Sequence, residues 1–234
     1  MNKDFKKGIK NGLPICIGYL AVSFSFGIFA VANGLTVLEA IIMSMTNLTS
    51  AGQLAAVPII ACGGSLLELA ISQLFINLRY ALMSVSLSQK FDDKVKLYDR
   101  FLISFANTDE VFGVSASQKG SVSRSFMYGL IITPILGWTI GTTIGALSGN
   151  ILPAIVVSAL GVAIYGMFIA IIIPAMKTHR PTSFCVLFAI ILSLIFYYVP
   201  PFNQVPSGFV IIICAVTASL LFAIIHPIKE NEND

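Results

Sequence analysis

The sequence predicts an all-α polytopic membrane protein with about seven transmembrane helices, because its composition and its charge spacing both indicate one. Of the 234 residues, 56% are hydrophobic and only 11% are charged, whereas a soluble domain has roughly 25% charged residues. Four long stretches contain no charged residue, at 11–38, 40–67, 125–176 and 181–228. A crossing helix needs about 20 apolar residues, so the first two stretches hold one crossing each and the last two hold two each. A further helix around 66–88 completes seven, and counts of six to eight are compatible with the same pattern.

The N-terminus has lysines at positions 3, 6, 7 and 10, in front of an apolar run at 13–32. A signal peptide has an apolar core of about 7 to 15 residues, so this longer run predicts a retained first crossing. Positive residues favour the cytoplasmic side, which places the N-terminus in the cytoplasm of a multi-pass protein of the plasma (inner) membrane. The net charge of +3 is too small to indicate nucleic acid as a partner.

The four cysteines lie within or at the ends of apolar stretches and have no CxxC spacing. Such cysteines are typical of free thiols that act as small hydrophobic residues. We therefore expect no metal site. No motif indicates a cofactor, because the GxxxxGK[ST] loop that binds ATP is missing from the sequence.

The second element, about residues 36–61, has a polar centre. Its segment SMTNLTSAGQ (44–53) places small, hydroxyl and amide side chains in the middle of a charge-free run. Irregular backbone at membrane depth is tolerated only where it is buried in protein or lines a water-filled cavity. We therefore predict a broken helix near residues 47–52. The alternative is a tight helix-helix contact, for which membrane proteins use the same small residues.

A break at this position predicts a substrate site. Thr49 or Ser50 would cap a new half-helix, and the amides of 51–53 would attract a carboxylate. The unwound carbonyls before the break would attract an ammonium group or a cation. The candidate substrate-binding residues in this element are Ser44, Asn47, Thr49, Ser50, Gly52 and Gln53.

The third element, about residues 66–88, has polar side chains on two faces. At 100° per residue, Glu68 and Arg79 share one face, and Asn77 lies on the other. A charged residue inside a crossing helix indicates a functional site, so we add Asn77 and Arg79 to the substrate-binding set. The alternative for Arg79 is that its long side chain reaches the membrane interface.

The segment 101–117 is apolar but is interrupted by Asn107-Thr108-Asp109-Glu110. Two adjacent acids make a full crossing unfavourable by several kcal/mol, so we expect a helix that is half-inserted or leans into the cavity. Asp109 and Glu110, together with Glu68, are then candidates for proton or ion coupling. The alternative for 101–117 is an ordinary solvated loop.

The second half of the chain predicts crossings at 126–147, 151–174, 184–199 and 208–225. A shift of 114 residues aligns several small and apolar residues of the two halves, such as Gly27 with Gly141 and Ser44 with Ser158. We interpret this as a single transporter domain, 1–234, with two weak internal repeats at about 12–117 and 126–226. Such repeats are common in secondary transporters.

The distribution of lysine and arginine does not decide between three possible membrane topologies. Seven simple crossings place Lys177 and Arg180 outside, against the positive-inside rule. Eight crossings bring them inside but leave the basic residues of 90–100 outside. A re-entrant second element brings both groups inside at the loss of one crossing.

The run Asn77-Leu78-Arg79-Tyr80-Ala81-Leu82-Met83-Ser84 resembles the NLRHxLMS-type signature of the AzlC family, the large subunit of branched-chain amino-acid exporters. Further family marks follow the same order, namely Gly12-Leu13-Pro14, Gly27, Met43-Ser44, Ala51-Gly52-Gln53 and Thr108-Asp109-Glu110. The chain departs from the family at two places. Tyr80 stands where the family often has His, and Leu48-Thr49-Ser50 replaces Phe-Ala-Gly, so a proton-coupling role of that His does not transfer.

The resemblance implies a secondary transporter that exports branched-chain or similar apolar amino acids, working with a small hydrophobic partner subunit of the AzlD type. We expect the substrate carboxylate at the amides of 51–53 or at Arg79, and its apolar side chain against Phe24, Phe26 and Leu54. A channel for small solutes and a non-transporting scaffold subunit are the alternatives. An enzyme is not expected, because the chain has neither HExxH nor a credible Ser-His pair.

Overall fold

The computed structural model describes residues 2–149 and 152–226, and this part of the chain is built from α-helices. It contains ten of them and no β-strand. The prediction of an all-α polytopic protein is therefore confirmed. The helices are α1 (Lys3–Ala32), α2 (Val37–Thr46), α3 (Ser50–Ala61), α4 (Leu66–Ser88), α5 (Leu97–Phe105), α6 (Asp109–Ala116), α7 (Arg124–Gly149), α8 (Ala154–Thr178), α9 (Arg180–Tyr198) and α10 (Ser207–Ile225).

The closest helix pair is α1 and α7, which run side by side in the same direction. Gly129 of α7 lies against Phe5, Gly137 against Cys16, and Gly145 against Phe24. These contacts involve backbone atoms, because the α7 residues have no side chain that would keep the helices apart. Glycine permits such close approach in membrane helices, where van der Waals packing drives association. The α7 residues that repeat every fourth position along this contact are Gly129, Thr133, Gly137, Gly141, Gly145 and Gly149.

One end of the molecule, which we call the lysine-rich end, is formed by residues 2–10, 88–100 and 116–125. Asn2 donates to Ser125 (3.1 Å), and Ser123 donates to the Asp4 carboxylate (2.8 Å). The Asp92 amide donates to the Val122 carbonyl (3.1 Å). The start of α1, the end of α4 and the start of α7 therefore lie together, and the other ends of these helices form the opposite end.

Helices α2 and α3 form a re-entrant hairpin from the opposite end. Ala40 of α2 and Val57 of α3 pack into one cluster with Phe26, Ala30 and Ala146, near the far ends of α1 and α7. The chain between the helices, 47–49, is not helical. The predicted break near 47–52 is therefore confirmed, and it is the tip of this hairpin.

Helices α5 and α6 form a second, shorter hairpin from the lysine-rich end. At its base, Asp99 accepts hydrogen bonds from the Tyr128 hydroxyl and the Lys96 amide and lies 3.8 Å from Arg124. Burial acts to raise the pKa of Asp99, but these donors and the guanidinium outweigh it and lower the pKa below its usual value.

The hairpin turns at Ala106-Asn107-Thr108, and Asn107 donates to Ser84 of α4 (3.1 Å). The single half-inserted helix expected at 101–117 is therefore wrong in form, because the structure has two helices there, the end of α5 and all of α6.

Six helices connect the two ends. Among the described residues, α1, α4, α7, α9 and α10 have the length and the apolar composition to cross a membrane. The 25-residue α8 leads from the end of α7 to the start of α9. The start of α10 lies beside the start of α4, where the Gly208 amide donates to Glu68 (2.9 Å). Phe188 of α9 packs on Phe222 of α10 at 6.2 Å, so Arg180 lies towards the lysine-rich end.

This topology is the re-entrant alternative, with one crossing fewer than seven because the second element is a hairpin. It places the basic residues of 3–10, 90–124 and 177–180 at one end. The described connecting residues at the opposite end, 33–36, 62–65, 152–153 and 199–206, contain no lysine or arginine. The shift of 114 residues carries Leu66, the first residue of α4, onto Arg180, the first residue of α9. The repeat itself stays a prediction.

The α1–α7 contact predicts a contrast between two glycines. A Cβ on Gly145 would overlap the Phe24 backbone, whereas a Cβ on Gly18 of α1 meets no atom within 4 Å. We expect Gly145→Ala to destabilise the protein by about 1–3 kcal/mol through overpacking. Gly18→Ala is the matched control, because it gains helix propensity without a clash. Thermal unfolding in detergent measures both, and equal melting temperatures would contradict the packing described.

The topology predicts which positions are labelled from the same side. In a variant without the native cysteines, single cysteines at positions 90, 119 and 177 are expected to react with an impermeant maleimide from one side only. Native Cys62, which is exposed at the end of α3, is expected to react from the other side when it is the sole cysteine. Labelling of position 177 from the side of Cys62 would contradict the re-entrant hairpin.

Candidate functional site

A cavity of about 570 Å³ lies at mid-depth, where the tips of the two hairpins meet. Its position follows from the fold, because both breaks place their polar backbone where α1, α4 and α7 surround it. The volume falls within the roughly 300–1,000 Å³ of small-molecule sites. The lining residues are Tyr19, Leu48, Ser50, Ala51, Arg79, Tyr80, Thr108, Asp109, Glu110 and Trp138.

An ion pair forms one wall of the cavity. Arg79 donates to both carboxylate oxygens of Asp109 at 2.6 Å. Its guanidinium also donates to the Tyr80 hydroxyl (3.0 Å) and lies 4.7 Å from the centre of that ring. The two side chains are 48% and 47% exposed, so both remain accessible from the cavity. The structure therefore brings two of the predicted site residues together, although they are 30 positions apart in sequence.

Glu110 forms the adjoining part of the wall. Its carboxylate accepts a hydrogen bond from the Tyr19 hydroxyl, and the Tyr19 ring packs edge-on against Trp138 at 5.1 Å. The cavity thus contains two carboxylates and one guanidinium, with aromatic rings beside them. Such a wall offers partners of both signs, for a positive and for a negative group.

The start of α3 supplies backbone donors. Ser50 and Ala51 line the cavity in the first turn of this helix. Thr49 is the N-cap residue but its side chain makes no capping hydrogen bond. Among the described residues, the amides of 50–52 have no hydrogen-bond acceptor, whereas the Gln53 amide bonds to the Thr49 carbonyl (2.9 Å). The uncapped helix start attracts negative charge.

Gln53 and Ser44 do not line the cavity but lie behind it in a buried network. Gln53 has an exposed fraction of 0%. It donates to Ser44 (2.9 Å) and accepts from the Trp138 indole (2.9 Å), and Ser44 also bonds to Thr142 (2.7 Å). The network ties both helices of the first hairpin to α7 and orients the Trp138 ring.

Asn47, Thr49, Gly52 and Asn77 meet in a second polar cluster beside the hairpin tip. Asn47 and Asn77 both donate to the Gln73 side-chain oxygen, at 3.4 and 3.1 Å. Gln73 in turn donates to the Gly52 carbonyl (2.9 Å). This cluster includes four of the predicted site residues, and Gln73 is a member that the sequence analysis did not select.

Glu68 lies away from the cavity, at the opposite end of α4. It is buried, and its carboxylate accepts from the first turn of α10. The structure therefore does not bring Glu68 together with Asp109 and Glu110. Its role in ion coupling stays a prediction, as do the roles of the other site residues.

The aromatic and apolar lining of the cavity was not predicted from the sequence. Tyr19, Leu48, Tyr80 and Trp138 face the cavity, whereas Phe26, expected there, is buried in the cluster at the opposite end. One signal was available, because Trp138 is the sole tryptophan of the chain. Its contact with Gln53 spans 85 positions, and no local pattern predicts such a pairing.

Fold and cavity together define a polytopic helical membrane protein with a polar chamber at mid-depth. Two helix breaks, one from each end, build this chamber. Within the described ranges, no group of three or more His, Cys, Asp or Glu side chains has the arrangement of a metal site.

The chain belongs to the AzlC family. The sequence profile of the family, described as AzlC protein, matches residues 14–152, which confirms the resemblance drawn from the motifs. This range includes both hairpins and every residue that lines the cavity.

Several membrane proteins are similar to the chain. An uncharacterized membrane protein of Archaeoglobus fulgidus is 33% identical and covers 74% of this chain and 76% of its own length. The inner membrane protein YgaZ of Escherichia coli strain K12 is 30% identical, over 81% of this chain and 80% of that protein. An uncharacterized membrane protein of Helicobacter pylori strain 26695 is 26% identical, over 63% and 65%. No solved structure gives a significant match.

The buried network predicts that Gln53 is needed for stability. Gln53→Leu leaves the Trp138 N–H without its acceptor and the Ser44 hydroxyl with Thr142 alone, so we expect a loss of about 1–3 kcal/mol in the free energy of unfolding. Gln204→Leu is the matched control, because the Gln204 side chain is exposed. Melting temperatures in detergent, with Trp138 fluorescence as the probe, distinguish the two. A Gln53→Leu protein as stable as the control would contradict the network.

Proposed function

We propose that the chain is the large subunit of a two-component secondary transporter that exports branched-chain or similar apolar amino acids. The observation that supports this most directly is the composition of the cavity wall. One guanidinium, two carboxylates, free backbone amides and apolar rings surround a space at mid-depth. These groups complement the three parts of an apolar amino acid. The proposal assigns the chain no enzymatic step.

The substrate carboxylate is assigned to Arg79 and the amides of Ser50 and Ala51. Arg79 already binds a carboxylate, since its Nη1 donates to both oxygens of Asp109. A substrate carboxylate would compete with Asp109 for the same guanidinium. The start of α3 adds the positive end of a helix dipole.

The substrate ammonium is assigned to Asp109 and Glu110. When the substrate carboxylate occupies Arg79, Asp109 loses its cationic partner and is left in a chamber of low dielectric. The ammonium group then replaces the guanidinium as that partner. The net charge of the chamber thus stays unchanged as the ligand enters, which limits the cost of burying both charges of the zwitterion.

The apolar side chain is assigned to the surface formed by Leu48, Tyr19 and Trp138. Burial of apolar surface contributes roughly 25 cal/mol per Å², so a branched side chain gains more there than that of alanine. A second charged group on the substrate has no partner on this surface. We therefore assign the preference for apolar amino acids to these three residues.

The proposed partner is a small hydrophobic membrane subunit of the AzlD type. Arg79 and Asp109 are half-exposed, and the apolar residues Phe75 and Leu82, which lie within about 60° of Arg79 around α4, are 44% and 71% exposed. An ion pair at mid-depth is unfavourable against lipid tails. A second subunit on this face of α4 would separate the pair from lipid.

The proposed orientation has the lysine-rich end in the cytoplasm of the inner membrane. The positive-inside rule supports it, because the connections at the opposite end contain no lysine or arginine. The two hairpins then enter the membrane from opposite sides, and movement of either tip would open the cavity to one side.

The proposal is tested by replacing the guanidinium. Arg79→Ala, expressed in the native gene cluster, is expected to reduce the efflux of radiolabelled leucine from loaded cells by about tenfold or more, because a hydrogen bond to a charged group contributes about 1.5–3 kcal/mol. Arg180→Ala is the matched control, since it removes the same group at the exposed start of α9. Equal amounts of both variants in the membrane show that folding is intact. Efflux by Arg79→Ala at the rate of the control would remove Arg79 from the site.

A further inference from the structure

We propose that the polar cluster beside the cavity, made by Asn47, Thr49, Gln73 and Asn77 around Gly52, is a binding site for Na⁺. The cluster lies between the tip of the first hairpin and α4, and its four side chains are neutral. It is separate from the ion pair of Arg79 and Asp109, which faces the cavity.

Two buried oxygen atoms of the cluster have no hydrogen-bond partner. Each of the three amides makes one hydrogen bond through its nitrogen: Asn47 and Asn77 donate to Gln73, and Gln73 donates to the Gly52 carbonyl. Among the buried atoms of the described residues, the Thr49 hydroxyl oxygen and the Asn77 carbonyl oxygen have no hydrogen-bond partner. A buried acceptor without a donor costs about 1–3 kcal/mol, and two in one cluster indicate a missing cation.

The amide orientations support this assignment. Turning the Gln73 amide would direct its NH₂ group at the NH₂ groups of Asn47 and Asn77 and its oxygen at the Gly52 carbonyl. Turning Asn77 alone would place its oxygen against the Gln73 oxygen. Both changes exchange hydrogen bonds for repulsion, so the network fixes the orientation in which the Asn77 oxygen is free.

The helix break supplies further oxygen atoms beside the cluster. The carbonyl groups at the end of α2 and in the loop, 46–48, accept no hydrogen bond within the described part of the chain. The C-terminal end of a helix has partial negative charge, and unwound carbonyls of this kind coordinate Na⁺ in transporters with broken helices. A cation beside the tip would stabilise the break from this side, while the start of α3 faces the cavity on the other.

Gly52 leaves space for an ion between the oxygen atoms of the cluster. A Cβ on this residue would overlap the Thr49 hydroxyl and lie 2.6 Å from the Gln73 oxygen. Alanine would improve helix propensity by roughly 0.5–1 kcal/mol, so a glycine here indicates that the space is needed. The oxygen atoms of Thr49 and Gln73 converge on this space.

The chemistry of the ligands selects the ion. Mg²⁺ and Ca²⁺ are bound mainly through carboxylates, and no carboxylate belongs to this cluster. Hydroxyl, amide and peptide oxygens supply dipoles without net charge, which suits a monovalent cation. The site itself does not depend on the proposed function. Only its role rests on that function: Na⁺ bound at the tip would couple to substrate in the adjoining cavity.

The test measures Na⁺ binding by the purified protein without transport. The melting temperature of the wild-type chain is expected to rise saturably with NaCl at constant ionic strength, with choline chloride as the replacement salt. Thr49→Val removes one oxygen ligand at nearly constant volume and is expected to weaken the apparent Na⁺ affinity about tenfold. Thr46→Val is the matched control, because its hydroxyl bonds to the Ile42 carbonyl of its own helix (2.8 Å).

A melting temperature of the wild type that is the same in both salts would overturn the site, and so would an equal Na⁺ response of Thr49→Val and Thr46→Val. If Thr49→Val does not fold, binding of ²²Na⁺ to the wild-type protein decides. One saturable ion per chain supports the site, and binding no higher than in excess cold NaCl overturns it. Leucine efflux separates this inference from the proposed function: a wild type that binds Na⁺ but moves no leucine would contradict the function and leave the site intact.

Discussion

The close contact between α1 and α7 is the interaction on which the rest of the fold depends. Hydrophobic burial provides little drive between helices in lipid, so packing must hold them together. The glycines of α7 bring the two backbones into contact along most of their length, and both hairpins pack against this pair. Ser44 and Gln53 of the first hairpin bond to α7, and Asp99 of the second does so too. A rigid pair of this kind can support two breaks that would be unfavourable in isolated helices.

The hairpins explain how polar backbone reaches mid-depth. Each enters from one end and turns beside α1, α4 and α7. The tips are joined to α4 by side-chain amides, Asn47 through Gln73 and Asn107 through Ser84. The two tips therefore share one helix, and a shift of α4 would move both. This arrangement links the two ends of the cavity mechanically.

Much of this architecture was accessible from the sequence, and the reasons for the rest are physical. Charge-free runs predicted the crossings, and the polar segment 44–53 predicted the break, because lipid tolerates neither charge nor open backbone. The same pattern did not distinguish a broken crossing from a hairpin, since both bury the same residues. The other limit on prediction is the sequence separation of the residues that contact each other. The pairs Arg79 with Asp109, Tyr19 with Glu110, and Gln53 with Trp138 are far apart in sequence. Local periodicity predicts which face is polar but not which partner it meets.

The charges of the cavity add a constraint on any ligand. With Asp109 and Glu110 ionised, the wall has one negative charge more than Arg79 neutralises, and the Tyr19 hydroxyl and the start of α3 stabilise that excess only in part. A ligand that brings a single negative charge increases the number of anions that compete for one guanidinium. A zwitterion brings its own cation, so the chamber keeps its net charge. In the proposed function, this balance would favour amino acids over simple carboxylates.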